Sequence, residues 1–258
     1  MEEIYQHFRN EEHSFIDKVL EWKEIVEIQY RMKLTDFLDP REQFIIKSII
    51  GHHGEVKVQF FGGSEHVERK RAILYPEYIT PEIEDYQISV FEVHYPKKFV
   101  SLEHRQVLGA LMSIGLKRGK YGDILIKDDT VQIIVANEVE SFVKLQFNEV
   151  GRQSVSLQPV PFNQIVKTNE SLEEKSTTIS SLRLDAVCSA IYNLSRQKTK
   201  TFIENGFVKV NWKKIEDPAF EVFVEDLISI RGYGRAKVLD IEGKTKKDKW
   251  KVKVGYVK

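Results

Sequence analysis

The chain of 258 residues is 41% hydrophobic and 30% charged, which excludes wholesale disorder and leaves room for two or three small domains. Its single cysteine, Cys188, excludes an internal disulfide and a cysteine-based zinc site. No apolar run approaches the roughly 20 residues that cross a bilayer, and the acidic start lacks the features of a signal peptide. These observations predict a cytoplasmic protein without a membrane partner.

The net charge of zero hides two parts of opposite sign. From Ser180 onward the chain carries 17 Lys and Arg against 10 Asp and Glu, whereas residues 1–179 carry 22 against 29. A basic module joined to an acidic body favours a polyanionic partner that is held mainly by one end of the chain.

Residues 1–76 are predicted to form one α/β unit. Apolar residues recur every three or four positions over Ile4–Tyr30, which indicates a largely helical segment. Asp39-Pro40 predicts the start of a second helix, because aspartate caps exposed N–H groups and proline suits the first helical position. Residues 56–61 alternate as a strand, and Arg69-Lys70-Arg71 is interpreted as a basic patch that follows it.

Residues 77–160 show a clearer order of elements, β-α-β-β-α-β, which is that of a ferredoxin-like domain. RNA-recognition motifs share this order, but so do many proteins of unrelated function. The segment VQIIVA lacks the aromatic residues on which such motifs stack bases, so base stacking on this sheet is not expected. The strands are predicted over 87–94, 123–126, 130–135 and 155–158, and the helices over 102–114 and 138–150.

The loop between the first helix and the second strand of that segment combines three cations, a tyrosine and three glycines over residues 115–123. Glycines allow close backbone approach and cations neutralise phosphate, so Lys117, Arg118, Lys120 and Tyr121 are candidates for a second RNA contact. The same composition is also typical of an exposed turn.

Residues 161–179 have little periodicity and are interpreted as a flexible linker. In residues 180–258 a short helix ends near Leu194, and Ser195 caps the next helix. Asn205-Gly206 closes that helix, and a strand follows with Lys209 on its polar face. The prediction is an α+β protein whose last domain is a helix-turn-helix on a small sheet.

The basic C-terminal module supplies the main candidates for RNA binding. Arg196 and Lys200 are four residues apart and share a helix face. Ser195 serves as a cap, a phosphate donor or both, and Arg183 pairs either with phosphate or with Asp185. The remaining candidates are Lys198 on the helix edge, the polar strip Lys209, Asn211, Lys213 and Lys214, and the turn residues Arg231, Tyr233 and Arg235. That turn is also compatible with an ordinary hairpin.

The module resembles the S-four RNA-binding domain, named after small-subunit ribosomal protein four. The whole chain, with its segments YRMKLTDFLDPREQ and GLKRGKYGDI, is similar to the YlmH family of bacterial RNA-binding proteins. The residues that carry the S-four resemblance are Arg183-Leu184-Asp185, Ser195-Arg196, Gly206, Val208, Val210-Asn211, Asp226 and Ile228-Ser229-Ile230-Arg231.

The YlmH resemblance implies a non-catalytic, monomeric factor that binds ribosomal RNA and tRNA on the large ribosomal subunit. It further implies a role in ribosome-associated quality control, in which peptidyl-tRNA is held on an obstructed subunit while the nascent chain is extended. Partner proteins of that pathway are implied too, and some family members are linked to cell division.

Two other classes of function remain open at this point. S-four domains also occur on RNA-modifying enzymes, and an acidic body could act as a cell-division scaffold. The histidines lack the spacing of a metal site, and no serine or cysteine has a recognisable nucleophile motif. A protein without catalysis, cofactor or metal is therefore the main hypothesis.

Overall fold

A computed structural model describes residues 5–6, 8, 10–51, 54–167 and 172–257. Contacts between Cα atoms divide the chain into a first unit, Met1–Thr168, and a second unit, Asn169–Lys258. Both units combine helices with antiparallel sheets. Within the described ranges, no helix is both long and apolar enough to span a membrane.

The N-terminal part of the first unit packs two helices on a three-stranded antiparallel sheet of order β1-β3-β2. As predicted, Asp39 caps the second helix: its carboxylate accepts from Glu42 N at 2.9 Å, and the Glu42 carboxylate accepts from Asp39 N at 2.8 Å. The elements are α1 His13–Gln29, β1 Lys33–Leu38, α2 Pro40–Ile50, β2 Val56–Phe61 and β3 Lys70–Pro76.

Two expectations for this part need correction. The segment Arg69-Lys70-Arg71 is not a surface patch, because Arg69 and Arg71 are only 8% and 3% exposed. Strand β1 was not predicted at all. The helical prediction over Ile4–Tyr30 is confirmed over α1 alone, while its first residue, Ile4, lies outside the described residues.

The predicted succession of elements is present in the central part of the first unit. Its antiparallel sheet has the order β5-β6-β4-β9, with a helix after the first and the third of these strands in the chain. The elements are β4 Ile88–His94, α3 His104–Ser113, β5 Tyr121–Lys127, β6 Thr130–Ala136, α4 Glu140–Gln146, β7 Glu149–Val150, β8 Gln153–Ser154 and β9 Ser156–Pro159.

The helix predicted over 138–150 is too long. Helix α4 ends at Gln146, since Phe147 leaves helical backbone geometry and is buried, with 1% of its surface exposed. The next residues turn back as the β7-β8 hairpin, in which Val150 pairs with Gln153.

The predicted flexible linker is ordered on both sides of the unit boundary. On the first side, the Gln132 side chain donates to Gln164 O at 3.1 Å and accepts from Val166 N at 2.9 Å. On the second side, residues 172–179 form β10, which pairs along its whole length with β15. A side chain therefore holds residues 164–166 and strand pairing holds residues 172–179, although their polar sequence shows no clear period.

The second unit packs two helices on a six-stranded sheet of order β10-β15-β14-β13-β11-β12. The helices meet at Ser195, whose hydroxyl accepts from Lys198 N at 3.2 Å as the predicted cap. The elements are β10 Leu172–Ile179, α5 Leu184–Ile191, α6 Arg196–Glu204, β11 Val208–Val210, β12 Lys213–Lys214, β13 Leu227–Ile230, β14 Gly234–Lys244 and β15 Trp250–Val257.

Candidate nucleic-acid interface

Four aromatic rings meet at the surface where α6 approaches β11 and the β13-β14 turn. The Phe202 ring lies 5.7 Å from the Tyr233 ring and 6.1 Å from the Phe207 ring, between centroids. Tyr192 completes the group at 6.3 Å from Tyr233, and its hydroxyl donates to Ile228 O at 2.9 Å. We call Tyr192, Phe202, Phe207 and Tyr233 the aromatic cluster.

Two cations lie on the aromatic cluster. Lys198 Nζ is 2.9 Å from the Tyr233 hydroxyl and 5.5 Å from the centre of its ring. The Arg231 guanidinium is 5.8 Å from the Phe207 ring. Because Tyr233 and Phe207 remain 40% and 41% exposed, each ring offers an apolar face beside a positive charge. Such a combination suits the bases and phosphates of single-stranded RNA.

An open groove of ≈ 620 Å³ lies beside Phe207, between the end of α6 and the β13-β14 turn. Lys209 and Lys214 face each other across the β11-β12 pair, which places two cations side by side at its edge. Gly206 has a φ of +70°, in the left-handed region that favours glycine, and the flexible end of Lys214 packs against it, with Cε 1.6 Å from where a Cβ would lie. Arg231 and Arg235 line the same groove.

Arg183 and Arg196 share one carboxylate. Asp185 accepts from Arg183 Nε at 3.2 Å and from Arg196 NH2 at 3.2 Å, and it also accepts from Ala186 N. Burial raises the pKa of Asp185, but the hydrogen bonds from the two guanidinium groups outweigh burial and hold the pKa below its usual value. Of the two alternatives for Arg183, the structure thus shows the pairing with Asp185. Both arginines stay about half exposed and can still contact phosphate.

The other candidates of this unit are of two kinds: exposed lysines, and one residue whose hydrogen bonds stabilise the fold. Lys200, Lys209, Lys213 and Lys214 are exposed, although Lys200 lies 3.7 Å from Glu204. Asn211 instead serves the fold: its amide donates to Asp226 at 2.7 Å and accepts from Leu227 N at 2.9 Å, with a φ of +49°. Its side chain is fully engaged inside the protein.

The candidate loop of the first unit is placed differently. Tyr121 is 1% exposed and donates to Leu111 O at 2.9 Å, so its ring has no face for a base. Arg118 donates to the carbonyls of Tyr121 and Gly122 at 2.6 and 3.2 Å. Its burial, and then the neighbouring charge of Arg69, lower its pKa to about 10.

Lys120, from the same loop, bridges two carboxylates, with Asp36 at 2.6 Å and Glu138 at 2.9 Å. The loop thereby joins the N-terminal and central parts of the first unit. Lys117 is the one member of this candidate set that the structure leaves exposed. The predicted second contact is therefore reduced to that lysine.

Phe207 is a candidate contact residue that the sequence reasoning missed. Val208 and Val210 point into the core, so the alternation of the strand assigns Phe207 to the same face as Lys209. An aromatic residue on the polar face of a basic strand was the available signal. Among the described residues, no group of three or more His, Cys, Asp or Glu side chains could hold a metal ion.

Family models match most of the chain. The model described as "YlmH, N-terminal" matches residues 11–79, "Putative RNA-binding domain in YlmH" matches 81–164, and "S4 domain" matches 182–228. These matches define a protein with an S-four domain and support an RNA-binding role.

The chain belongs to the YlmH family. It is 53% identical over 252 residues, 98% of either chain, to the "Ribosome-associated protein quality control protein P2" of Bacillus subtilis (strain 168). Its structure is similar to that of the "Cell division protein ylmH from Streptococcus pneumoniae", with a TM-score of 0.54 and 33% identity. That likeness covers 63% of this chain and 98% of the other.

Proposed function

We propose that this protein is a non-catalytic RNA-binding factor that grips folded RNA with its S-four domain. The observation that carries the proposal is the aromatic cluster with Lys198 and Arg231 beside its exposed rings. The excess of basic residues after Ser180 supports the same conclusion, since a cationic surface attracts phosphate at long range.

The two kinds of side chain have different tasks in this proposal. Arg183, Arg196 and Lys200 neutralise phosphates and release counterions, which gives affinity without sequence preference. The lysines of β11 and β12 extend that strip. Tyr233 and Phe207 stack on unpaired bases or on sugars, which favours a loop or a distorted helix over regular duplex.

We further propose that the RNA is ribosomal RNA and tRNA on the large ribosomal subunit, in the cytoplasm. The name of the Bacillus subtilis relative, a ribosome-associated quality control protein, supports this assignment. Holding peptidyl-tRNA during extension of a stalled nascent chain requires affinity and orientation, which a binding surface supplies without a catalytic group. The central part of the first unit, as a ferredoxin-like domain, would add a weaker contact through Lys117.

The test is cosedimentation of the full chain with purified large ribosomal subunits at increasing salt. Arg196→Ala with Lys200→Ala removes about two phosphate contacts, so the slope of log K against log salt should become shallower by about 1.5. Lys18→Ala with Lys47→Ala is the matched control, because these lysines are exposed on helices of the first unit. Binding that is indifferent to salt, or equal loss in both double variants, would contradict the proposal.

A further inference from the structure

A small pocket lies on the first unit, far in sequence from the RNA candidates. It forms where the end of α1 meets the start of β2 and the end of β3. The N–H of Tyr30, with a left-handed φ of 51°, bonds to Val26 O and ends α1. Glu77 N donates to Glu55 O at 3.0 Å, which extends the β2-β3 pairing by one step and brings Tyr78 opposite Tyr30.

The two tyrosines form the walls of this pocket and are unusually exposed. Tyr30 is 67% and Tyr78 71% exposed, and the Tyr78 hydroxyl donates to Tyr30 O at 3.4 Å. The floor is apolar, because Val26 and Val56 are buried to within 2% of their surface. Large exposed aromatics that surround an apolar floor are typical of a binding site rather than of an ordinary surface.

The rim of the pocket is negative. Glu27, Glu55 and Glu77 line it, and the first unit is acidic as a whole. Two lysines lie close, at 3.7 Å from Glu27 to Lys23 and at 3.4 Å from Glu77 to Lys57. These ion pairs are partly exposed to solvent and therefore weak, so a ligand cation can replace them. The rim repels phosphate, which excludes RNA as the favoured occupant.

We propose that this tyrosine pocket, made by Tyr30, Tyr78 and the three glutamates, binds an arginine or lysine side chain from a basic segment of a partner protein. The volume of ≈ 210 Å³ has the size of one long side chain. The apolar floor receives its methylene groups, the tyrosine rings flank its cation, and the carboxylates neutralise the charge. All three parts of such a side chain thus meet a complementary group.

The proposal is independent of RNA binding and is tested on the full chain. The probe is a fluorescein-labelled peptide in which arginine alternates with alanine, followed by fluorescence anisotropy at low salt. Replacing arginine with the neutral analogue citrulline should abolish binding. Tyr78→Ala should weaken binding about tenfold, whereas Tyr78→Phe should retain most of it because the ring remains.

Two matched double variants separate the contribution of the rim glutamates from the general attraction between an acidic surface and a basic peptide. Glu55→Gln with Glu77→Gln should weaken peptide binding about tenfold, whereas Glu65→Gln with Glu149→Gln removes equal charge elsewhere and should change it less than twofold. Equal losses in both pairs, no peptide binding by the wild type, or loss of RNA binding in Tyr78→Ala would overturn the proposal. Concentration-dependent dimers of wild type that disappear in Tyr78→Ala would overturn it in favour of a second copy as occupant.

Discussion

Two loops of this protein have nearly the same composition and opposite environments. The loop of residues 115–123 and the turn of residues 230–237 both combine arginine, lysine, glycine and one tyrosine. In the first loop, Tyr121 is buried, and Arg118 and Lys120 bond to carbonyls and carboxylates of the same unit. In the second, Tyr233 is 40% exposed and Lys198 lies beside its hydroxyl, while Lys237 at the end of the turn pairs with Glu225 at 2.6 Å.

The difference follows from the charges that surround each loop. The first unit is rich in carboxylates, so that Lys120 meets both Asp36 and Glu138. The second unit has more cations than carboxylates, so its net charge is positive. A basic loop therefore indicates a nucleic-acid contact only where the rest of the domain does not neutralise it.

The strongest test of this difference between the two loops is to replace one arginine in each of them. Arg118→Met removes the side-chain donor of two buried carbonyls, so the free energy of unfolding of the first unit should fall by about 3 kcal/mol. Arg231→Met should change stability by less than about 0.5 kcal/mol and weaken RNA binding instead. Urea unfolding and RNA titration of both variants measure the two effects. Matching phenotypes would contradict the distinction between the loops.

The acids beside the two sets of cations should also respond to pH in opposite directions. Burial, opposed by hydrogen bonds from the N–H groups of Glu68 and Arg69, raises the pKa of Asp123 to about 6. A raised carboxyl pKa favours the folded state at low pH, so this contribution is complete below about pH 4 and is lost as the pH rises to about 6. Asp185, with a lowered pKa, stabilises the second unit above about pH 4 and loses that effect as the pH falls further.

The Asp123→Asn variant tests the predicted direction of this pH dependence of stability. The stability difference between wild type and the variant should become smaller by about 2 kcal/mol between pH 4 and pH 6.5. Denaturant unfolding monitored across that range measures it. Burial also raises the pKa of Glu42, to about 7, and its titration persists in the variant. A stability difference that is constant with pH would mean that Asp123 is ionised in the folded state throughout.

The smallest effect concerns the aromatic cluster itself. Tyr233→Ala should lower affinity for an unpaired RNA segment by about 1–2 kcal/mol, because one stacking face is lost. Tyr233→Phe should retain that affinity, since it removes only the hydrogen bond to Lys198. RNA titration at constant salt compares the two, with thermal unfolding as the check on folding. Equal loss in both variants would assign the effect to the hydroxyl rather than to stacking.

Sequence patterns predicted the features that depend on residues close together in the chain. The cap at Asp39 and the cap at Ser195 were both predicted, because each depends on residues within one helical turn. The pairing of Arg183 with Asp185 was one of two alternatives that the sequence left open, because two residues so close in the chain can also reach each other without a distant partner.

Features that depend on distant partners were not predictable. Arg71 looked like a surface cation, but it donates to Thr35 O and to Gln87 O and pairs with Glu138. No short window of sequence contains those acceptors. Likewise, β10 has a polar sequence, and its place in the sheet is determined by β15, more than seventy residues later in the chain.

The pairing of β10 with β15 also bears on how the chain can be divided. The S-four family model begins at residue 182, after β10 has ended. A fragment cut at that point would expose the backbone N–H and C=O groups of β15 along a continuous edge, and such edges promote aggregation between copies. A fragment that keeps β15 paired along its length must therefore begin no later than Leu172, which is earlier than the start of the S-four match.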